Sequence, residues 1–237
     1  MFIDIHSHLL PGVDDGAKTI DEALYLLKQA EEDGIEYVVL TPHYIKNGEF
    51  RLKKEEIVQR YQEFKDAVVA NGIDIKLLLG NELYIHKDLD DLLINNEICS
   101  LNNTSYVLIE FPFDKYKEEY DEYLYNIALS GYRIVIAHPE RYGYVQNNID
   151  FCKRWIKEGY YLQVNQNSLF NQCEKTVMKL IGNKWVSFVA SDAHNEYRPC
   201  NLSKAFAKIM SNFGEEVAND LFCENQYKLL LNEKNII

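Results

Sequence analysis

FIDIHSHLL, residues 2–10, opens the chain with a short apolar run that ends on two histidines one residue apart. Phe2–Ile5 reads as a strand, and His6 and His8 fall just beyond it. The arrangement recurs downstream. YVVLTPH (37–43), RIVIAH (133–138) and FVASDAH (188–194) each carry an apolar run into a histidine. Of the six histidines in the chain, His6, His8, His43, His138 and His194 sit in such places, while His86 lies in a polar segment and reads as a surface residue. Carboxylates take the equivalent position after three runs: Glu82 after KLLLGN, Glu110 after YVLI and Asp192 after FVAS.

Between the runs the apolar residues change to helical spacing. In TIDEALYLLKQAEEDG, Ile20, Ala23, Leu24, Leu27 and Ala30 line one face, opened by a Thr19/Glu22 capping box and closed near Gly34. Further helices are expected over about 53–70, 89–94, 117–129, 149–157 and 174–181, with two more at the C-terminus. YYLQVN (160–165) completes a set of seven strand candidates separated by helices. That alternation implies βα units on a parallel sheet, hence an α/β fold. The strand count and the length of 237 residues favour a closed or distorted barrel over an open sheet. With no internal repeat, low-complexity tract or linker, residues 1–237 are expected to form a single domain. In a parallel barrel all the C-terminal strand ends meet on one face, so the histidines and carboxylates above converge.

The composition removes several classes of function. A net charge of −12 argues against binding nucleic acid through the general surface field. The five cysteines are scattered with no C-x-x-C pair, which argues against a disulfide framework or zinc knuckle and for a reducing cytoplasm. The N-terminus has neither a basic n-region nor an apolar h-region, so no secretory leader is expected. No apolar run approaches the roughly 20 residues that span a bilayer, so no membrane insertion is expected. No cysteine is followed by arginine six positions later, so a Cys-x5-Arg phosphate loop is missing, as are a G-x-S-x-G elbow and a P-loop.

Imidazole with carboxylate suits Mn, Fe or Zn, and the lack of thiolate argues against a structural zinc site. The number of ligands fits two or three cations; one would leave too many idle. Each motif alone is weak. Two histidines at period 2 can simply share a strand face, and Asp192-Ala-His194 can be a turn or an N-cap. Recurrence at one end of one sheet is what core packing does not produce. Asp14-Asp15-Gly16 reads as a turn, from which one carboxylate could also reach the metals. Arg141 and Arg198, two of only six arginines, each lie a few residues beyond a proposed ligand. A guanidinium fork pairs bidentately with phosphate oxygens; the alternative for both is a surface salt bridge.

Taken in order, HSH, TPH, a Glu after each of two strands, AHPER and ASDAH resemble the polymerase and histidinol phosphatase (PHP) superfamily. DIHSHLLPGVDDG, TPH, GNELY, LIEF, IAHPERY, QVNQNS and SDAHN are more closely similar to the manganese-dependent tyrosine phosphatases of bacterial capsule and exopolysaccharide operons, over residues 3 to about 200. The resemblance implies a distorted (β/α)7 TIM-like barrel of the PHP type. It implies the ligand set His6, His8, Asp15, His43, Glu82, Glu110, His138, Asp192 and His194 for two or three Mn2+ ions, with Fe or Zn as alternatives. Arg141 and Arg198 correspond to the family's phosphate-contacting arginines. The implied activity is hydrolysis of phosphotyrosine by metal-activated hydroxide, on a bacterial tyrosine kinase with a Tyr-rich tail that regulates capsule synthesis. The alternative is a small-molecule phosphomonoesterase of the histidinol-phosphatase type.

Overall fold

Short β-branched and leucine-rich runs give nine parallel strand segments in the computed structural model, which describes residues 2–234 and 236. They are β1 (Phe2–Ser7), β2 (Ile35–Leu40), β3 (His43–Tyr44), β4 (Lys76–Leu79), β5 (Glu82–Tyr84), β6 (Tyr106–Glu110), β7 (Arg133–Ala137), β8 (Tyr161–Asn165) and β9 (Phe188–Ala190). The sequence predicts seven. The difference comes from two passes that are each broken in the middle. β2 breaks at Thr41-Pro42 before resuming as β3, and β4 breaks at Gly80-Asn81 before resuming as β5. Pro42 has no N–H to give to a ladder. At Gly80 the backbone runs so close to Leu101 that a Cβ would lie 2.8 Å from its Cδ2 and 3.3 Å from its Cα.

The breaks divide the strands into a three-stranded sheet, β1-β2-β4, and a six-stranded sheet, β3-β5-β6-β7-β8-β9. Beyond β9 the chain returns to β1. Ser7 bridges Ala193, the Asp192 N–H donates to the His6 carbonyl at 2.9 Å, and the His8 N–H donates to Ala193 at 2.8 Å. Residues at the two ends of the sequence are thereby neighbours in the sheet.

Alternation decides which side chains face inward. Along β6, Tyr106 and Leu108 join an inner apolar cluster with Ile3, Ile5 and Val39, whereas Val107 and Ile109 join the larger cluster shared with the helices. β9 divides likewise, Phe188 and Ala190 against Val189. The same parity carries Glu110, two residues past Leu108, to the inner side at the strand end.

Helices fill the connections: α1 (Ile20–Glu32), α2 (Lys54–Ala70), α3 (Leu89–Ile94), α4 (Glu119–Leu129), α5 (Gly143–Asn147), α6 (Cys152–Lys157) and α7 (Glu174–Gly182). α8 (Ser203–Phe213), α9 (Glu215–Asn219) and α10 (Asn225–Leu230) follow β9, with a π-helical stretch at Asp220–Glu224 joining the last two. α1 starts where the sequence predicts, with the Glu22 N–H on Thr19 Oγ1 at 3.2 Å. The return bond from the Glu22 carboxylate goes to the Lys18 N–H instead of that of Thr19. Among the described residues no helix is long and apolar enough to cross a membrane.

One glycine holds the first loop against β1. A Cβ on Gly16 would sit 1.9 Å from the His8 carbonyl oxygen and 2.5 Å from His8 Cβ. Gly16→Ala should therefore lower stability by about 1–3 kcal/mol through overpacking, read as a shift in the urea midpoint at unchanged m-value.

Candidate metal centre

The two histidines at the end of β1 set the geometry. Their Nε2 atoms are 3.1 Å apart, and both side chains are fully buried. His8 Nδ1 is held by Asp14 Oδ2 at 2.7 Å. Asp14 also accepts the Gly16 N–H at 2.9 Å and the His43 N–H at 3.0 Å, so one buried carboxylate fixes three segments. His6 Nδ1 is held by Gln163 Oε1 at 2.9 Å. With the outer ring nitrogens engaged, the Nε2 atoms are left to face the interior.

Glu82, delivered by β5, lies at the middle. Its Oε2 is 3.2 Å from His6 Nε2, 3.1 Å from His8 Nε2 and 3.1 Å from His43 Nδ1. Its Oε1 is 2.8 Å from His138 Nε2. Glu110 stands behind, 3.7 Å from both His43 and His138. His138 follows Ala137, and simple alternation would turn it toward the helices. Instead it takes a left-handed φ of 31°, which returns the imidazole to the interior. Asp192 is also left-handed, at φ 52°. Such backbone in non-glycine residues costs free energy and clusters at functional sites.

Asp192 divides its two oxygens. Oδ1 faces His6, His8 and His194, each at 3.5 Å. Oδ2 takes Arg141 Nη1 at 2.9 Å, Arg198 Nη2 at 2.5 Å and Asn165 Nδ2 at 2.5 Å. Asp15 lies at the rim, 3.6 Å from His43 Nε2 and 3.5 Å from His194 Nε2.

All nine residues named as ligands from the sequence thus come together. Their donor atoms form four overlapping groups: His8, Asp15, His43 and His194; His6, His138 and Asp192; His6, His8 and Glu82; His43, Glu82 and Glu110. Within each group the atoms lie within 4.8 Å of one another. His86 is outside them, near Asn47 and Asp88. The buried Nδ1 atoms of His43 and His138 make no hydrogen bond. The set is nitrogen and oxygen throughout, which fits divalent Mn, Fe or Zn.

The charges conflict when left to themselves. Burial opposes protonation of His6, but Glu82 and Asp192 outweigh it and raise its pKa. For His8 burial is outweighed by Asp14 and Glu82. Burial pushes His138 down to about 4. Burial, joined by the charges of Glu82 and Asp192, drives Glu110 well above the carboxylate range, while Glu82 is held low against burial by His6 and His43. Concentrated positive charge at the centre would resolve this conflict.

Beside the centre opens a cleft of about 660 Å³, lined by Phe113, Arg141, Asn165, Phe170, Tyr197 and Arg198 among others. The Arg141 guanidinium lies 4.8 Å from the Phe113 ring centroid. Both arginines are at the rim, about one-third exposed, each with one edge on Asp192. Tyr44, which adjoins His43 in sequence, is 4% exposed and part of the core, not of this cleft.

The family described as capsular polysaccharide synthesis, CpsB/CapC, matches residues 2–231. The chain belongs to this family. Its CpsB/CapC relatives include the tyrosine-protein phosphatase CpsB of Streptococcus agalactiae serotype V, 35% identical over 240 residues, covering 97% of this chain and 98% of the relative. The tyrosine-protein phosphatase YwqE of Bacillus subtilis is 31% identical over 236 residues, covering 98% and 92%. A solved CpsB/CapC structure, described as one of the metal-dependent tyrosine phosphatases YwqE from Bacillus subtilis and CpsB from Streptococcus pneumoniae, superposes with a TM-score of 0.93 at 31% identity, covering 99% of this chain and 96% of that one.

Three polar residues of this CpsB/CapC chain have no assigned role in the sequence reading. Asp14 looks like a turn residue beside Asp15, and nothing local separates a buried anchor from a rim carboxylate. Gln163 and Asn165 carry one legible signal: amides at period 2 on the inward face of an otherwise apolar strand. Asp14→Ala strands the His8 ring and two backbone N–H groups, and should cost about 1–3 kcal/mol. Asp15→Ala, at a half-exposed side chain, should stay within about 0.5 kcal/mol. Urea denaturation of the metal-free proteins separates the two.

Proposed function

We propose that this chain is a metal-dependent protein-tyrosine phosphatase of one PHP-type unit spanning residues 1–237. The observation that carries the reading is the overlap of four His/carboxylate groups at one strand-end face, with two arginines on its rim. The names of the CpsB and YwqE relatives support the activity. We read the broken passes β2–β3 and β4–β5 as single staves, which makes seven staves in all and a distorted (β/α)7 barrel joined through β1 and β9.

His6, His8, Asp15, His43, Glu82, Glu110, His138, Asp192 and His194 would hold two or three divalent ions, with manganese the proposed metal. When bound, such ions neutralise phosphate charge and lower the pKa of a coordinated water. The protein's own share is binding and orientation. Arg141 and Arg198 present their outer N–H groups to the cleft, where they can grip the equatorial oxygens of a phosphoryl group as its charge redistributes. Phe113 packs on Arg141 and keeps its fork flat against the cleft wall. The phenolate of tyrosine, with a pKa of about 10, leaves without a strong acid. The open cleft suits a side chain carried on a protein. A bacterial tyrosine kinase with a tyrosine-rich tail, acting in capsule synthesis in the cytoplasm, is the proposed partner.

The protein stripped of metal and reconstituted with Mn2+ should release phosphate from a phosphotyrosyl peptide and not from histidinol phosphate. The opposite preference would overturn the reading in favour of the small-molecule enzyme. His138→Ala and Asp192→Ala should each lower kcat/KM by at least about a hundredfold, about 2.7 kcal/mol, in proteins that still fold. Arg141→Ala should lower kcat/KM by about 10–100-fold with metal content unchanged; loss of metal there would assign the arginine a different role.

A further inference from the structure

Among the described residues, β8 is the one strand of the six-stranded sheet that brings no histidine or carboxylate, from within it or just beyond it, to the centre. It brings Gln163 and Asn165, both buried, on the face that Tyr161 presents to the inner cluster. We propose that these two amides form a directional relay that ties the tautomer of His6 to the carboxylate of Asp192, making both of them positioning residues for the metal centre.

The direction follows link by link from the chemistry of the groups. Asp192 Oδ2 already receives two guanidinium N–H groups, from Arg141 and Arg198. It is an acceptor, so the Asn165 atom 2.5 Å away must be the amide nitrogen. That leaves Asn165 Oδ1 facing strand-inward, where it can only accept, and the Gln163 atom 2.9 Å from it must be Nε2. Gln163 Oε1 then faces His6 Nδ1 at 2.9 Å and can only accept there. His6 therefore carries its proton on Nδ1, and its Nε2 lone pair points at Glu82, His8 and Asp192 Oδ1.

The two ends of the relay belong to the same donor group, His6, His138 and Asp192. Asn165 holds Oδ2 on the outer side, which keeps Oδ1 turned inward, while Gln163 holds the imidazole that faces it. The relay is anchored from behind, since the Asn165 backbone N–H donates to Glu140 Oε1 at 2.9 Å. His8 is treated differently: its outer nitrogen rests directly on the carboxylate of Asp14. One imidazole of the pair is thus oriented by a charge and the other by a neutral chain that reports the position of a second ligand. Outer groups of this kind change metal affinity by about 10–100-fold.

The inference rests on the metal centre of the proposed function and not on its substrate. The test compares wild type with Gln163→Met, Asn165→Leu, the double variant and Gln163→Glu. Nitrogen NMR of the metal-free wild type above the imidazole titration range should find His6 protonated on Nδ1, with the resonance identified by its loss in His6→Gln. Gln163→Met should show mixed tautomers, whereas Gln163→Glu, which keeps an acceptor at that place, should retain the Nδ1 proton. Chelator competition with Mn2+ should give about 10–100-fold weaker binding in Gln163→Met and Asn165→Leu. The double variant should be no more than about threefold weaker than the worse single, because both cut the same chain. Asn165→Leu keeps Gln163 beside His6 but removes the acceptor of its amide N–H, so a loss of the single His6 tautomer in that variant reads the relay even where Gln163→Met does not fold. A wild-type His6 protonated on Nε2, unchanged metal binding in Asn165→Leu, or fully additive losses would overturn the relay. Absence of phosphotyrosine activity in the Mn2+-loaded wild type, with these readouts as expected, would overturn only the proposed function.

Discussion

Glu82 brings its two oxygens within 3.2 Å of four imidazoles that arrive from three separate strand ends. The carboxylate is almost wholly buried. A buried anion is tolerable only when it is paired or coordinates a cation. The imidazoles provide part of that compensation, at the cost of pushing protons onto some rings and off others. The strand order, the inward parity that Glu82 shares with Leu78, and the left-handed turn at His138 all serve to make this one convergence.

Around it the protein arranges two kinds of support. Histidines on β1 are fixed from outside, one by Asp14 and one by Gln163, so the imidazoles meet with their inner nitrogens aimed at a common point. Asp192 works from the opposite side, with one oxygen for the centre and one for the arginines. The cleft and the centre therefore share a single carboxylate. Whatever engages Arg141 and Arg198 is sensed at the residue that also faces His6, His8 and His194.

Much of this was legible from the residues. The strands are visible because their interiors are continuous apolar runs, and the helices through the spacing of their apolar residues, with a side-chain cap marking the start of α1. The proposed ligands are visible because histidine and carboxylate at successive strand ends have no packing purpose. Of the two mid-strand interruptions, which the strand candidates did not separate, one is marked in the sequence by Pro42 and its missing N–H, whereas the other depends on Leu101 pressed against Gly80. Asp14 and Asp15 are alike in their local turn, where only the family resemblance singles out Asp15, and burial is what separates the anchor from the rim residue. Gln163 and Asn165 were hidden by their chemistry, because an amide has meaning only through its partner.

The seam between β1 and β9 has a consequence for synthesis. Ser191 donates its backbone N–H to Asp4 Oδ1 across 187 residues of sequence, and its hydroxyl bonds the other carboxylate oxygen. His6 and His8 come long before Asp192 and His194 in the sequence, so the partners that complete their surroundings are translated much later. Closing so long a loop is entropically costly and slow. β1 has β2 to pair with early, and His8 has Asp14, but the other edge of β1 finds its partner, and both imidazoles face Asp192, only once β9 has been made.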